Sequence, residues 1–137
     1  MSFKLIFALS LFGLAMGVAT VFVIPSHIEP WCWLGIFVVS AYVIAKRAPA
    51  KYFLHGLCVS LLNSVWITGI HFALYDKYIA THAKEAAMMA QAQFATPKVM
   101  LLISGPVAGL VSGIVLGFIA WVMSKLVVSS HSEYAGW

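Results

Sequence analysis

Charge is what this sequence has least of. Only 9% of its 137 residues are Asp, Glu, Lys or Arg, against roughly 25% in a soluble domain. A water-facing surface cannot be built from so few, so most of the chain faces lipid. Acids are scarcest: four Asp and Glu stand against eight Lys and Arg. No charged residue lies in the middle of an apolar run. Proton-coupled pumps and exporters generally use a carboxylate embedded in the membrane, so that class loses support. There are two cysteines, Cys32 and Cys58, and no CxxC. The topology derived below puts them at opposite depths, which argues against a disulfide between them. GxSxG, HExxH, a Walker loop and paired carboxylates are all missing, and the histidines (His27, His55, His71, His82 and His131) are scattered. No catalytic residue and no cofactor is therefore expected. The net charge of +4 sits mostly at the ends of apolar runs, where it orients a membrane protein. No nucleic-acid signature accompanies it.

What is present is apolar. The chain is 63% hydrophobic, with a mean hydropathy of +0.99. A span takes about 20 mainly apolar residues, so one domain with four spans at most is expected. The first run, residues 5–24, stops at Pro25. It is longer than a signal-peptide core and lacks a small-x-small cleavage site, so it reads as a retained span. The second, residues 31–45, is short. Pro30 suits its first turn, and Trp31 and Trp33 suit an interfacial belt. The third covers residues 52–75 and the fourth residues 98–124, after Thr96 as N-cap and Pro97 as first helical residue. A soft polar tail ends at Trp137. Residues 76–95 are rich in helix formers but too polar to span. They read as a helical extension of the third span or an amphipathic helix lying on the membrane surface.

Four spans put both termini on one side. That side collects Lys4, Lys46, Arg47, Lys51 and Lys125, and its only acid is Glu133. The other holds Lys77, Lys84 and Lys98, offset by Glu29, Asp76 and Glu85. The positive-inside rule then makes both termini cytoplasmic.

The last span carries glycine at every fourth position: Gly105, Gly109, Gly113 and Gly117. Residues four apart share a helix face, with a drift of about 40° per step. Apolar side chains gain nothing by leaving lipid for one another, so close backbone approach drives association, and small residues permit it. The first span carries Gly13 and Gly17 with the same spacing. Spans one and four are therefore expected to cross within one subunit, with a homo-oligomer seam or a glycine-lined path as alternatives. Pro106 removes a helix hydrogen bond, and a kink is expected there.

The third span holds the most polar atoms at membrane depth. Gly56, Ser60, Asn63, Ser64, Thr68, His71 and Tyr75 fall on one arc, joined by Tyr78 and His82 if the helix continues. Polar groups facing lipid are costly, so this stripe should face inward. It serves either as interhelical hydrogen-bonding glue or as a polar path. His82, Glu85 and Met89, at i, i+3 and i+7, are the only metal candidates. An ordinary amphipathic helix explains them, and no metal site is assigned.

The stretch ATPKVMLLISGPVAGLVSGIVLGFIAWVMSKLV follows a polar outer helix and carries a lysine near its end. Over residues 70–127 the chain resembles the end of a bacterial family of small four-span inner-membrane proteins. That resemblance implies a bacterial inner-membrane location and carries over no functional residues. The expected architecture is an all-α, four-span bundle with a polar helical segment between spans three and four. The expected function is a non-enzymatic accessory or assembly protein, acting on itself or a larger membrane complex through helix contacts. The alternative is a small homo-oligomeric channel or transporter lined by Ser60, Asn63, Ser64, Thr68 and His71.

Overall fold

A computed structural model describes the backbone of residues 1–134 and the side-chain surroundings of residues 1–127. The regular structure within them is all helical: α1 Phe3–Phe22, α2 Glu29–Arg47, α3 Tyr52–Ala73, α4 Tyr75–Thr81, α5 Ala83–Gln91 and α6 Pro97–Tyr134. Three of these are long and apolar enough to cross a membrane: α1, α3 and residues 97–127 of α6. The run 31–45 does form a helix, α2, but not one of the three. Glu29 at its start and Lys46 and Arg47 at its end lower its hydropathy over 19 residues.

The helix ends have local causes. The Leu5 N–H donates to Ser2 Oγ at 3.4 Å at the start of α1. Pro30 lies in the first turn of α2. The Val99 N–H donates to Thr96 Oγ1 at 3.4 Å, so Thr96 caps α6 and Pro97 opens it. Helix α6 stays unbroken through Pro106 and continues to Tyr134, past the end expected near Lys125. Residues 135–137 of the expected tail lie outside the described residues. The segment 76–95 is neither a continuation of α3 nor one helix. Leu74, at φ −111° and ψ 34°, ends α3, and His82, at φ −126° and ψ 60°, separates α4 from α5.

Helix α3 is the centre of the packing. Helix α1 runs parallel to it: Ser2 meets His55, Gly13 meets Asn63 and Thr20 meets His71. Helix α6 runs antiparallel on it, with Gly117 against Gly56 and Gly105 against Thr68. Helix α2 packs chiefly on α6. The expected glycine crossing of the first and last spans is therefore corrected. Both glycine rows close on α3, not on each other, because α3 offers the complementary surface. Gly56, Ser60, Ser64 and Thr68 are themselves small and four apart.

One end of the molecule is closed. Ala41, Ile44, Val59, Leu116 and Ala120 are all 0% exposed there, drawn from α2, α3 and α6 into a cluster with Ile6 and Leu9 of α1. At the other end Val21, Tyr78 and Leu101 form a second cluster. The outer faces are apolar: Val107, Val111 and Phe118 of α6 are more than half exposed. Lipid suits such a face and water does not.

Candidate functional site

The site begins with the seam between α3 and α6. A methyl group on Gly56 would lie 2.6 Å from the Gly117 Cα, and one on Gly117 would lie 2.6 Å from the Phe53 carbonyl oxygen. No Cβ fits at either point, so glycine sets the approach of the two helices. Gly109 takes Ser64 and Gly105 takes Thr68. Between the Gly109–Ser64 and Gly117–Gly56 contacts the Ser60 and Ser112 hydroxyls lie 2.7 Å apart. Ser112 donates to the Ala108 carbonyl at 2.6 Å, so Ser60 is the donor to Ser112.

The polar stripe divides between two neighbours. Toward α1, the Gly13 N–H donates to Asn63 Oδ1 at 3.0 Å. This contact fixes the amide orientation and leaves Nδ2 on the other side. His71 Nε2 lies 2.7 Å from Thr20 Oγ1, and its ring stacks on Tyr78 at 3.9 Å between centroids. Toward α6 and α2, Ser60, Asn63, Ser64 and Thr68 line a cavity of about 300 Å³ with Gly105, Gly109 and Ser112 of α6 and Glu29, Trp33 and Phe37 of α2. His71 is not among its lining residues. Gly113 and Gly117 lie beyond its closed end, against Leu57 and Phe53. Gly13 and Gly17 belong to the α1–α3 contact.

Most hydroxyls at this depth are already used. Ser64 donates to the Leu61 carbonyl at 2.7 Å, and Ser112 donates to Ala108. Asn63 differs. It is 2% exposed, and its Nδ2 has no partner. An unpaired buried amide donor costs about 1–3 kcal/mol, which singles out Asn63 among the residues lining the cavity.

A second cavity of about 280 Å³ is lined by Ser26, Glu29, Pro30, Trp33, Tyr78 and Glu85. Glu29 and Trp33 line both. Trp33 Nε1–H donates to Glu29 Oε1 at 3.3 Å, and Ser26 donates to Glu85 Oε2 at 3.0 Å. Tyr78 sits between two imidazoles, stacked on His71 and, at 4.4 Å, on His82. Burial pushes its phenol upward, and the Glu29 and Glu85 carboxylates push it further, so the ring stays neutral. His82 is 0% exposed. Its Nε2 has no hydrogen bond and points toward Glu29 Oε2 at 3.7 Å.

The three metal candidates of the sequence do not converge. His82 turns to Glu29, Glu85 to Ser26 and Met89 to the Tyr78 cluster. Among the described residues no group of three His, Cys, Asp or Glu could hold a metal ion. Cys32 and Cys58 are free thiols on α2 and α3.

Sequence reasoning missed Glu29, Trp33 and Phe37 as lining residues. Their i, i+4, i+8 spacing marks one helix face, but nothing in the spacing says which neighbour that face meets. His55 was also missed. It is 0% exposed, its Nε2 accepts from the Ser2 N–H at 3.0 Å, and its Nδ1 lies 3.0 Å from the Lys51 carbonyl. The ring therefore carries its proton on Nδ1 and ties the chain's start to α3. No protein-family model, no curated protein and no solved structure matches the chain.

Proposed function

We propose that this is a four-span membrane protein that binds a small ligand in the cavity between α2, α3 and α6. In this reading α2 is the fourth span, and both termini are cytoplasmic. Lys4, Lys46, Arg47, Lys51 and Lys125 then gather at the inner face, and the Glu29 end opens outward. The resemblance of residues 70–127 makes the membrane the bacterial inner one.

The observation that carries the ligand reading is Asn63. Its Nδ2 is buried and unpartnered in the wall of a cavity of about 300 Å³, the lower end of the size range of ligand pockets. Binding is favoured over catalysis because the neighbouring hydroxyls donate to Leu61 and Ala108 of their own helices. Binding is favoured over an open channel because the cavity is blind. The seal of Ile44, Val59, Leu116 and Ala120 is 0% exposed. The accessory role expected from the glycine row loses its sequence argument, since that row is occupied by α3 within the subunit.

Cysteine labelling tests the cavity. With Cys32→Ser and Cys58→Ala in the background, Ser64→Cys and Thr68→Cys should react with a small water-soluble thiosulfonate. The rate should exceed that of Val59→Cys by about tenfold or more, because thiol reactivity follows access. Adding Ala108→Trp, at a further residue of the cavity wall, should remove the difference. Rates at Ser64→Cys and Thr68→Cys as slow as at Val59→Cys would contradict a ligand-accessible cavity.

A further inference from the structure

We infer that the site takes an organic cation, with its ammonium group held at Glu29 and Trp33 and its apolar body in the α2–α3–α6 cavity. This inference rests on the ligand reading above and names the ligand's class. Glu29 and Trp33 line both cavities, so the charged end of a ligand in either one meets the same carboxylate and the same indole. Glu85 and Tyr78 complete the wall on the far side. Two carboxylates beside the Trp33 indole form the donor set for a substituted ammonium group, while Tyr78, its faces covered by His71 and His82, closes the wall. The carboxylates supply charge, and the Trp33 face supplies the cation–π attraction.

The carboxylates have not been neutralised by the protein's own cations. Among the described residues neither Glu29 nor Glu85 has a Lys or Arg within ion-pair distance, and the one contact of that kind is His82 to Glu29 at 3.7 Å. Two lysines of this side are engaged on rings: Lys77 lies over Phe22, and Lys98 lies over Phe72 and Tyr75; Lys84, next to Glu85 in the sequence, makes no ion pair with either carboxylate among the described residues. Two helix N-termini explain carboxylates at Glu29 and Glu85 separately. They do not explain why both line one cavity with Trp33 and Tyr78, nor the unpartnered Asn63 amide in the wall of the adjoining cavity. Asn63, 2% exposed and unpartnered at Nδ2, adds a requirement. The body of the ligand carries a hydrogen-bond acceptor or a π face at its buried end.

The test uses the full chain in nanodiscs and two isosteric probes, benzyltrimethylammonium and neopentylbenzene. Each is measured by equilibrium dialysis and corrected for uptake by protein-free nanodiscs. The cation should bind about tenfold or more tightly than its neutral isostere. Glu29→Gln should cut cation affinity about tenfold and leave the neutral probe unchanged, and Trp33→Leu should also narrow the ratio. Equal affinity of the two probes overturns the inference. So does cation affinity unchanged in both Glu29→Gln and Glu85→Gln. A neutral probe that binds equally well and is lost in Ala108→Trp overturns the cation class while the cavity stands. If neither probe binds, the cation class falls, and labelling of Ser64→Cys decides the cavity separately.

Discussion

Leucine at Gly117 is expected to separate α3 from α6 and to destabilise the protein by about 3 kcal/mol or more, at the upper end of the cost of overpacking. Even a methyl group there would lie 2.6 Å from the Phe53 carbonyl oxygen, a fixed backbone atom that cannot rotate away. Gly56→Leu should act in the same way, because its Cβ would lie 2.6 Å from the Gly117 Cα. Gly105 should respond more mildly to alanine, since its nearest neighbour is the rotatable Thr68 hydroxyl, whereas at Gly109 the Ser64 Cβ itself would lie 2.5 Å away. Two internal controls come with the fold. Gly35 and Gly69 have nothing within 4 Å of an added Cβ. Leucine at either should leave the melting midpoint within about 2 °C of the parent, as a surface substitution does. Thermal melting in one detergent, monitored by near-ultraviolet circular dichroism, separates the two pairs. Similar losses at Gly117 and Gly69 would contradict the seam.

Tyr78→Ala is expected to release α4 from the rest of the molecule. Tyr78 is 7% exposed, packs with Val21 and Leu101 and holds both imidazole stacks. Truncating a buried aromatic residue costs about 3–5 kcal/mol, which lowers the melting midpoint by about 10–17 °C in a chain of this size. Tyr78→Phe keeps the rings and should cost under about 1 kcal/mol. A pH series sharpens the comparison. Burial and the two carboxylates raise the folded phenol above its ordinary value. The stabilising form is therefore the protonated one. Its contribution is complete below the ordinary tyrosine value of about 10 and is lost as pH rises past it. Tyr78→Phe should remove that alkaline decline. An alkaline decline identical in parent and Tyr78→Phe would show that Tyr78 does not govern it.

Much of this was legible on single helices. The four glycines of α6 and the polar arc of α3 were both readable from spacing, and Thr96 with Pro97 marked the start of α6. The pairing was not readable. Glycines four apart specify close approach but not to whom, and Gly13, Gly17 and the α6 row carry the same signal. The missing clue was Gly56, Ser60, Ser64 and Thr68, which read as polar residues and are equally a row of small ones. Treated as a groove, they are the natural partner of Gly117, Gly109 and Gly105. The break at Leu74 was hidden because the residues on both sides of it form helix, α3 before it and α4 after it. Glu29 was hidden for another reason. It sits in a proline-flanked connection, where an acid ordinarily faces water, and only the fold brings it to the cavity mouth beside Trp33.

The central claim is that the α6 glycine row closes on α3 of its own subunit and leaves the cavity beside that seam. Disulfide trapping of Ser60→Cys with Ser112→Cys tests it most directly, in a chain with Cys32→Ser and Cys58→Ala. The two hydroxyl oxygens lie 2.7 Å apart, a spacing that brings the Cβ atoms into disulfide range. Mild oxidation in native membranes should give an intramolecular bond in a monomer. A disulfide-linked dimer would place the glycine row between subunits, and no bond at all would place it against another helix; either result contradicts the claim.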